Sequence, residues 1–174
     1  DDILIGSSSS DVNGENSGES YLVFGKASGF TASFNLSDLD GTNGFTITGA
    51  EAGARNGSPV SKAGDVNGDG FDDVLVTSGH GGLAENQSYI IFGKASGFTS
   101  SIDILTLDGS DGIVVNSFDR NDFGATSVSS AGDINGDGFD DLVFGSPIVD
   151  IDGKFDVGKT FIVYGGPTLA AIQF

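Results

Sequence analysis

The chain has 174 residues, with 7 basic against 25 acidic side chains and a net charge of −18. So few Lys and Arg exclude the basic patch that nucleic acid or an anionic membrane surface requires, and no apolar run approaches the roughly 20 residues of a transmembrane helix, so no membrane insertion is expected. The absence of Cys excludes a disulfide scaffold and a thiolate metal site, and leaves sheet packing and bound ions to hold the fold.

In chain order, Asp1-Asp2-Ile3-Leu4-Ile5-Gly6-Ser7 reads as a strand. Asp11-Val12-Asn13-Gly14-Glu15-Asn16-Ser17-Gly18-Glu19 then alternates oxygen-bearing side chains but has no Gly at its sixth position, and it reads as a polar hairpin loop. Ser20-Tyr21-Leu22-Val23-Phe24-Gly25-Lys26-Ala27-Ser28-Gly29-Phe30 is a second strand closed by a Gly turn, and Leu39-Asp40-Gly41-Thr42-Asn43-Gly44-Phe45-Thr46-Ile47 leads into a third. Gly57 to Gly64 opens the next unit as an inner strand.

Asp65-Val66-Asn67-Gly68-Asp69-Gly70-Phe71-Asp72-Asp73 follows, and it recurs 68 residues later as Asp133-Ile134-Asn135-Gly136-Asp137-Gly138-Phe139-Asp140-Asp141. A hard cation of Ca²⁺ size takes six to eight oxygens, and alternate residues of a tightly wound loop point inward. Positions 1, 3, 5 and 9 supply them: Asp65, Asn67, Asp69 and Asp73 in one copy, Asp133, Asn135, Asp137 and Asp141 in the other. The carbonyls of Phe71 and Phe139 stand at position 7, and Gly70 and Gly138 fill position 6, where the chain turns sharply. Carboxylates packed this closely repel unless a cation sits among them. Two Ca²⁺ sites are therefore expected. An EF-hand loop would close with a bidentate Glu at position 12 and continue as a helix; here position 12 is Val76 or Phe144, inside the strand-like runs Val74-Leu75-Val76-Thr77 and Leu142-Val143-Phe144.

The flanks repeat as well. Ser88 to Phe98 copies Ser20 to Phe30, Leu107 to Val115 pairs with Leu39 to Ile47, and Thr160-Phe161-Ile162-Val163-Tyr164-Gly165-Gly166-Pro167 is a looser third copy of the second strand. Each period holds about four short strands, the pattern of a β-propeller blade. The expected class is all-β: a partial propeller of about two and a half blades of four antiparallel strands, lettered a to d from the inside outward. Residues 1–48 would form b-c-d, 49–116 a full blade, and 117–174 a-b-c with a remnant of d at Ala171 to Phe174. Asp2 would be the position-9 residue of a loop whose first half is missing, and it is not counted as a ligand.

The loops, the preceding Gly57-Ser58-Pro59-Val60-Ser61-Lys62-Ala63-Gly64 and Gly124-Ala125-Thr126-Ser127-Val128-Ser129-Ser130-Ala131-Gly132 strands, and the Phe-Gly and Gly-Ser-Pro turns resemble the FG-GAP family, the integrin-α-type propeller repeats also found in large bacterial and cyanobacterial surface proteins. The resemblance covers essentially the whole chain. It implies blades arranged radially, with Ca²⁺ in the loop joining strands a and b. Such propellers usually close with seven blades, so this chain is either a fragment or one of several that assemble a ring.

The resemblance and the acidity together imply an extracellular or cell-surface protein, and metal loops of about 10⁻⁴–10⁻³ M affinity suit millimolar calcium. No signal peptide begins the chain, as expected of a processed or excised piece. No enzyme is expected: no Gly-x-Ser-x-Gly elbow appears, the single histidine His80 lies in a Gly-rich loop, and the clustered carboxylates are assigned to metal. The expected function is a calcium-binding structural or adhesive module presenting loops to a protein or glycan partner; the alternative is a non-catalytic accessory propeller domain of a secreted hydrolase. Asp150 to Asp156 reads as another polar hairpin loop, and Asn35, Asn56 and Asn86 open N-glycosylation sequons. Open blade edges invite self-association.

Overall fold

The structure, a computed structural model, describes residues 1–48, 51–79, 87–116, 127–147, 149 and 154–167. His80, Asn86, the start of the Asp150 loop and the expected d remnant at Ala171 to Phe174 lie outside the described residues. Among the described residues the fold is all-β, with two short 3₁₀ turns at Leu36–Asp38 and Ile104–Thr106 and no α-helix.

The strands are β1 (Ile3–Ser7), β2 (Glu19–Val23), β3 (Gly44–Thr48), β4 (Asn56–Gly64), β5 (Asp73–Ser78), β6 (Gln87–Ile91), β7 (Ser101–Asp103), β8 (Gly112–Asn116), β9 (Ser127–Gly132), β10 (Asp141–Ser146) and β11 (Lys159–Val163). They form three sheets in the orders β1-β2-β3-β7, β4-β5-β6-β8 and β11-β10-β9. In the second sheet every pairing is antiparallel, with registers such as Leu75↔Ile90 and Ile90↔Ile113. β1-β2-β3 and β9-β10-β11 repeat parts of that meander.

Alternation along the strands explains how the sheets stack. Successive side chains of a strand point to opposite faces, so β5 and β6 feed two cores at once. Leu75 and Ile90 join Ala63, Val66, Ile113, Val115, Leu142, Phe144 and Val163 between the second and third sheets. Val76, Tyr89 and Ile91 face the other way and join Leu22, Phe45, Ile47 and Ile104 between the first and second. In the second core Phe45 stacks on Phe98 at 4.8 Å between centroids, and Phe24 meets Phe45 edge-on at 5.9 Å. Both arrangements are favourable for ring quadrupoles.

β7 is the element that the repeat pattern does not anticipate. It leaves the second repeat and pairs in parallel with β3 of the first sheet, with Thr46↔Ser101, Ile47↔Ile102 and Thr48↔Asp103. Thr46 N donates to the Ser100 carbonyl at 3.0 Å and Thr48 Oγ1 to the Ile102 carbonyl at 3.2 Å. Half-buried Ile102 packs against the core between the first two sheets. A three-residue segment without this neighbouring edge has no ladder to join; its counterpart one repeat earlier, Ser33-Phe34-Asn35, forms no strand.

Candidate metal centre

Each Asp-rich loop joins an edge strand of a sheet to the next strand: residues 65–72 link β4 to β5 and residues 133–140 link β9 to β10. Winding starts at the first aspartate. Asp65 Oδ1 accepts from the N–H groups of Gly68 at 2.8 Å and Asp69 at 3.0 Å, while Oδ2 accepts from Gly70 N at 2.9 Å. Asp133 repeats this with Gly136, Asp137 and Gly138 at 2.6, 3.0 and 2.9 Å. These donors, that of Gly138 foremost, hold the Asp133 carboxyl below the ordinary aspartate range. The loops can close this tightly because Gly68 and Gly70 have φ of 77° and 90°, and Gly136 and Gly138 of 80° and 93°, a region that disfavours any Cβ.

The other predicted positions follow the same pattern in both copies. Asn67 Oδ1 accepts from Asp69 N, and Asp69 Oδ1 from Phe71 N, each at 2.9 Å. Asn135 and Asp137 do likewise at 2.9 and 3.1 Å. Asp73 and Asp141 lie at the floor, 1% and 0% exposed. Asp73 Oδ2 accepts from Val66 N at 3.0 Å and its Oδ1 from Gly93 N at 2.8 Å; for Asp141 the donors are Ile134 N and Gly165 N, both at 2.9 Å. Burial pushes the Asp73 carboxyl up to about 7, against the pull of the Gly93 and Val66 donors and with Asp69 and Asp65 adding repulsion.

The donor set fits a hard cation: oxygen-bearing side chains at alternate positions, on a loop turned by glycines and closed by a buried carboxylate. Among the described residues no three Asp, Glu or His side chains converge into a formed cage. Each carboxylate instead accepts loop N–H groups, and the Asn67 and Asn135 amides donate to Asp69 Oδ2 and Asp137 Oδ2 at 2.9 Å.

A residue outside the predicted set ties the two loops together. Asp140, at position 8, accepts from Asp65 N through Oδ2 at 2.9 Å, and its own N–H donates to the Asp65 carbonyl at 3.0 Å. Gly166 N donates to the Val66 carbonyl at 2.9 Å. The signal in the sequence was the doubled aspartate, Asp72-Asp73 and Asp140-Asp141, of which alternate spacing uses only the second member.

Of the Asp11–Glu19 segment, residues 11–18 lie in the loop between β1 and β2 and Glu19 opens β2; in the loop Asp11 Oδ1 accepts from Asn16 N at 2.7 Å and the Ser17 hydroxyl from Asn13 N at 3.0 Å. Of the described sequon asparagines, Asn35 is exposed and caps the first 3₁₀ turn, accepting from Ser37 N at 3.2 Å. Asn56 is fully buried, so in the folded chain it cannot receive a glycan.

Residues 61–91 and 124–163 match the FG-GAP repeat. The chain is 29% identical over 133 residues to Integrin alpha-5 of Xenopus laevis, covering 76% of this chain and 12% of that protein. To Integrin alpha-4 of Xenopus laevis it is 29% identical over 107 residues, 61% of this chain and 10% of the relative. To Integrin alpha-PS5 of Drosophila melanogaster it is 33% identical over 100 residues, 55% and 9% respectively. The chain thus spans about a tenth of the length of these relatives. Both matched stretches contain an Asp-rich loop flanked by antiparallel strands, and in these stretches the chain carries FG-GAP repeats, similar to integrin alpha chains, folded as blades of a partial β-propeller.

Proposed function

We propose that this chain is a calcium-stiffened propeller segment of an extracellular or cell-surface adhesive protein. Its blades correspond to residues 1–48, 49–116 and 117–174, and its surface loops meet a protein or glycan ligand. The observation that carries the metal reading is the identical winding of two loops 68 residues apart, each with three carboxylates and one amide at alternate positions. Asp65, Asn67, Asp69, Asp73 and the Phe71 carbonyl would hold one Ca²⁺; Asp133, Asn135, Asp137, Asp141 and the Phe139 carbonyl would hold the other.

A bound divalent ion neutralises carboxylates that otherwise repel, and it ties the end of one inner strand to the start of the next. The buried position of Asp73 makes this coupling strong, because its charge is costly without a nearby cation. The adhesive role draws on the likeness to integrin alpha chains, and the extracellular setting on the weak, millimolar-range affinity expected of such loops.

Isothermal titration of the metal-free chain with CaCl₂ tests the reading. Two sites of about 10⁻⁴–10⁻³ M are expected. Absence of binding at tens of millimolar calcium would leave the loops as polar turns and reject the metal function.

A further inference from the structure

The two Asp-rich loops touch through residues that carry, or stand beside, the oxygens assigned to both metal sites. Asp140 lies between the Phe139 carbonyl and the Asp141 carboxylate, two oxygens of the second site, and it grips the first loop at its position-1 aspartate. Its Oδ2 accepts from Asp65 N at 2.9 Å, and its N–H donates to the Asp65 carbonyl at 3.0 Å. A second contact runs through Val66. Val66 N donates to Asp73 Oδ2 at 3.0 Å, at the floor of the first site, and the Val66 carbonyl accepts from Gly166 N at 2.9 Å. The adjoining Gly165 N donates at 2.9 Å to Asp141 Oδ1, at the floor of the second site. In a third contact the half-buried ring of Phe139 covers Gly68, where an added Cβ would come within 2.3 Å of Cε1.

The contact is close enough for a small shift on one side to be felt on the other. Gly64 has φ of 79°, and a Cβ there would come within 2.1 Å of Asp140 Oδ2, so glycine is what admits the carboxylate. A Cβ on Gly165 would meet the Asp140 carbonyl at 2.4 Å and the Val66 carbonyl at 3.0 Å. An ion on the second loop fixes the Phe139 carbonyl and the Asp141 carboxylate, and with them both peptide units that flank Asp140. The first loop then closes against a partner that is already ordered, and it gives up less conformational freedom when its own ion binds. Asp140, assigned to neither ion, also adds negative charge at the contact, which offsets the repulsion between two bound cations.

We infer that the two sites bind calcium cooperatively, with Asp140 as the coupling residue, so that an ion on either loop raises the affinity of the other. The inference rests on the metal reading of the loops and goes beyond it, since two independent sites would satisfy that reading. Coupling between binding equilibria is reciprocal: the factor by which the second ion strengthens the first site equals the factor by which the first strengthens the second. A factor of about five is expected, at the lower end of the usual range, because hydrogen bonds and one ring contact carry it without a change of fold.

The test follows the backbone amides of Gly70 and Gly138 by NMR while the isotope-labelled full chain is titrated with CaCl₂, so that each loop reports its own Kd. Asp137→Ala, which removes a ligand from the second loop, should weaken binding read at Gly70 about fivefold, and Asp69→Ala should weaken binding read at Gly138 by the same factor. In an Asp140→Ala background neither substitution should alter the Kd of the opposite loop, a result that damage to one site alone does not produce. Amide exchange gives a reading independent of affinity and of the Asp140 variant. In Asp69→Ala, where only the second loop loads, calcium should slow exchange of the Asp65 N–H held by Asp140 about fivefold. Calcium shifts at both glycines with each Kd indifferent to substitution in the opposite loop would overturn the coupling and leave the metal reading intact. Unequal factors in the two directions, coupling undiminished in Asp140→Ala, or unchanged exchange at Asp65 would also overturn the proposal. Absence of calcium shifts at either glycine would reject the metal reading and the coupling with it.

Discussion

Asp69→Ala combined with Asp137→Ala separates a metal role from a turn role. In the metal-free loops each of these exposed carboxylates accepts one loop N–H and one Asn amide, so removing both should cost no more than about 1 kcal/mol. Calcium changes that balance. With Kd near 1 mM and about 10 mM free calcium, each site contributes about 1.4 kcal/mol, or about 2.8 kcal/mol for the pair. For a chain of this size about 1 kcal/mol moves Tm by about 2–4 °C, so the wild type should melt about 6–11 °C higher in calcium than in EDTA. Scanning calorimetry of both proteins in both buffers reads this directly. The double variant should melt near the wild-type EDTA value in either buffer. A wild type that melts equally in calcium and EDTA would refute the reasoning, and so would a double variant that keeps the calcium shift.

Asp73→Ala should be far more damaging than Asp69→Ala even in EDTA, by about 2–5 kcal/mol in urea unfolding, because it leaves the buried Val66 N–H and the half-buried Gly93 N–H without an acceptor. Phe45→Ala should cost about 3–5 kcal/mol in the same assay, since Phe45 is fully buried and stacked on Phe98; the partly exposed Phe30→Ala should change stability by well under half of that. Asp140→Ala removes the acceptor for Asp65 N and should destabilise by about 1 kcal/mol, whereas Asp72→Ala, its equivalent outside any clasp, should be close to neutral. Equal effects of these last two substitutions would mean that the loop-to-loop contact adds no stability.

Much of the architecture was legible because it is written in local terms. Val74-Leu75-Val76 and Ser88-Tyr89-Ile90-Ile91 are short β-branched and apolar runs between turn residues, and each became a strand. The Asp-x-Asn-Gly-Asp-Gly spacing carries its own turn chemistry, and Asp65 and Asp133 do collect the N–H groups three to five residues on. A hydrogen bond that spans five residues needs little help from the rest of the molecule.

Other features depended on partners far along the chain. That Ile102 leaves its own repeat for the edge of β3 follows from an open ladder next door, to which the short run Ser101-Ile102-Asp103 gives no local pointer. Asp140 reads as a spare acid in the motif, and it becomes a clasp only because the preceding loop arrives beside it, 75 residues earlier in sequence. Asn56 reads as a sequon and lies wholly buried. By itself the sequence determined the strands, the repeat and the winding of the loops, since these depend on residues a few positions apart. Tertiary structure alone decided which acids are buried, which loops touch and which edge β7 joins, because those depend on where the stacking of whole sheets brings distant residues together.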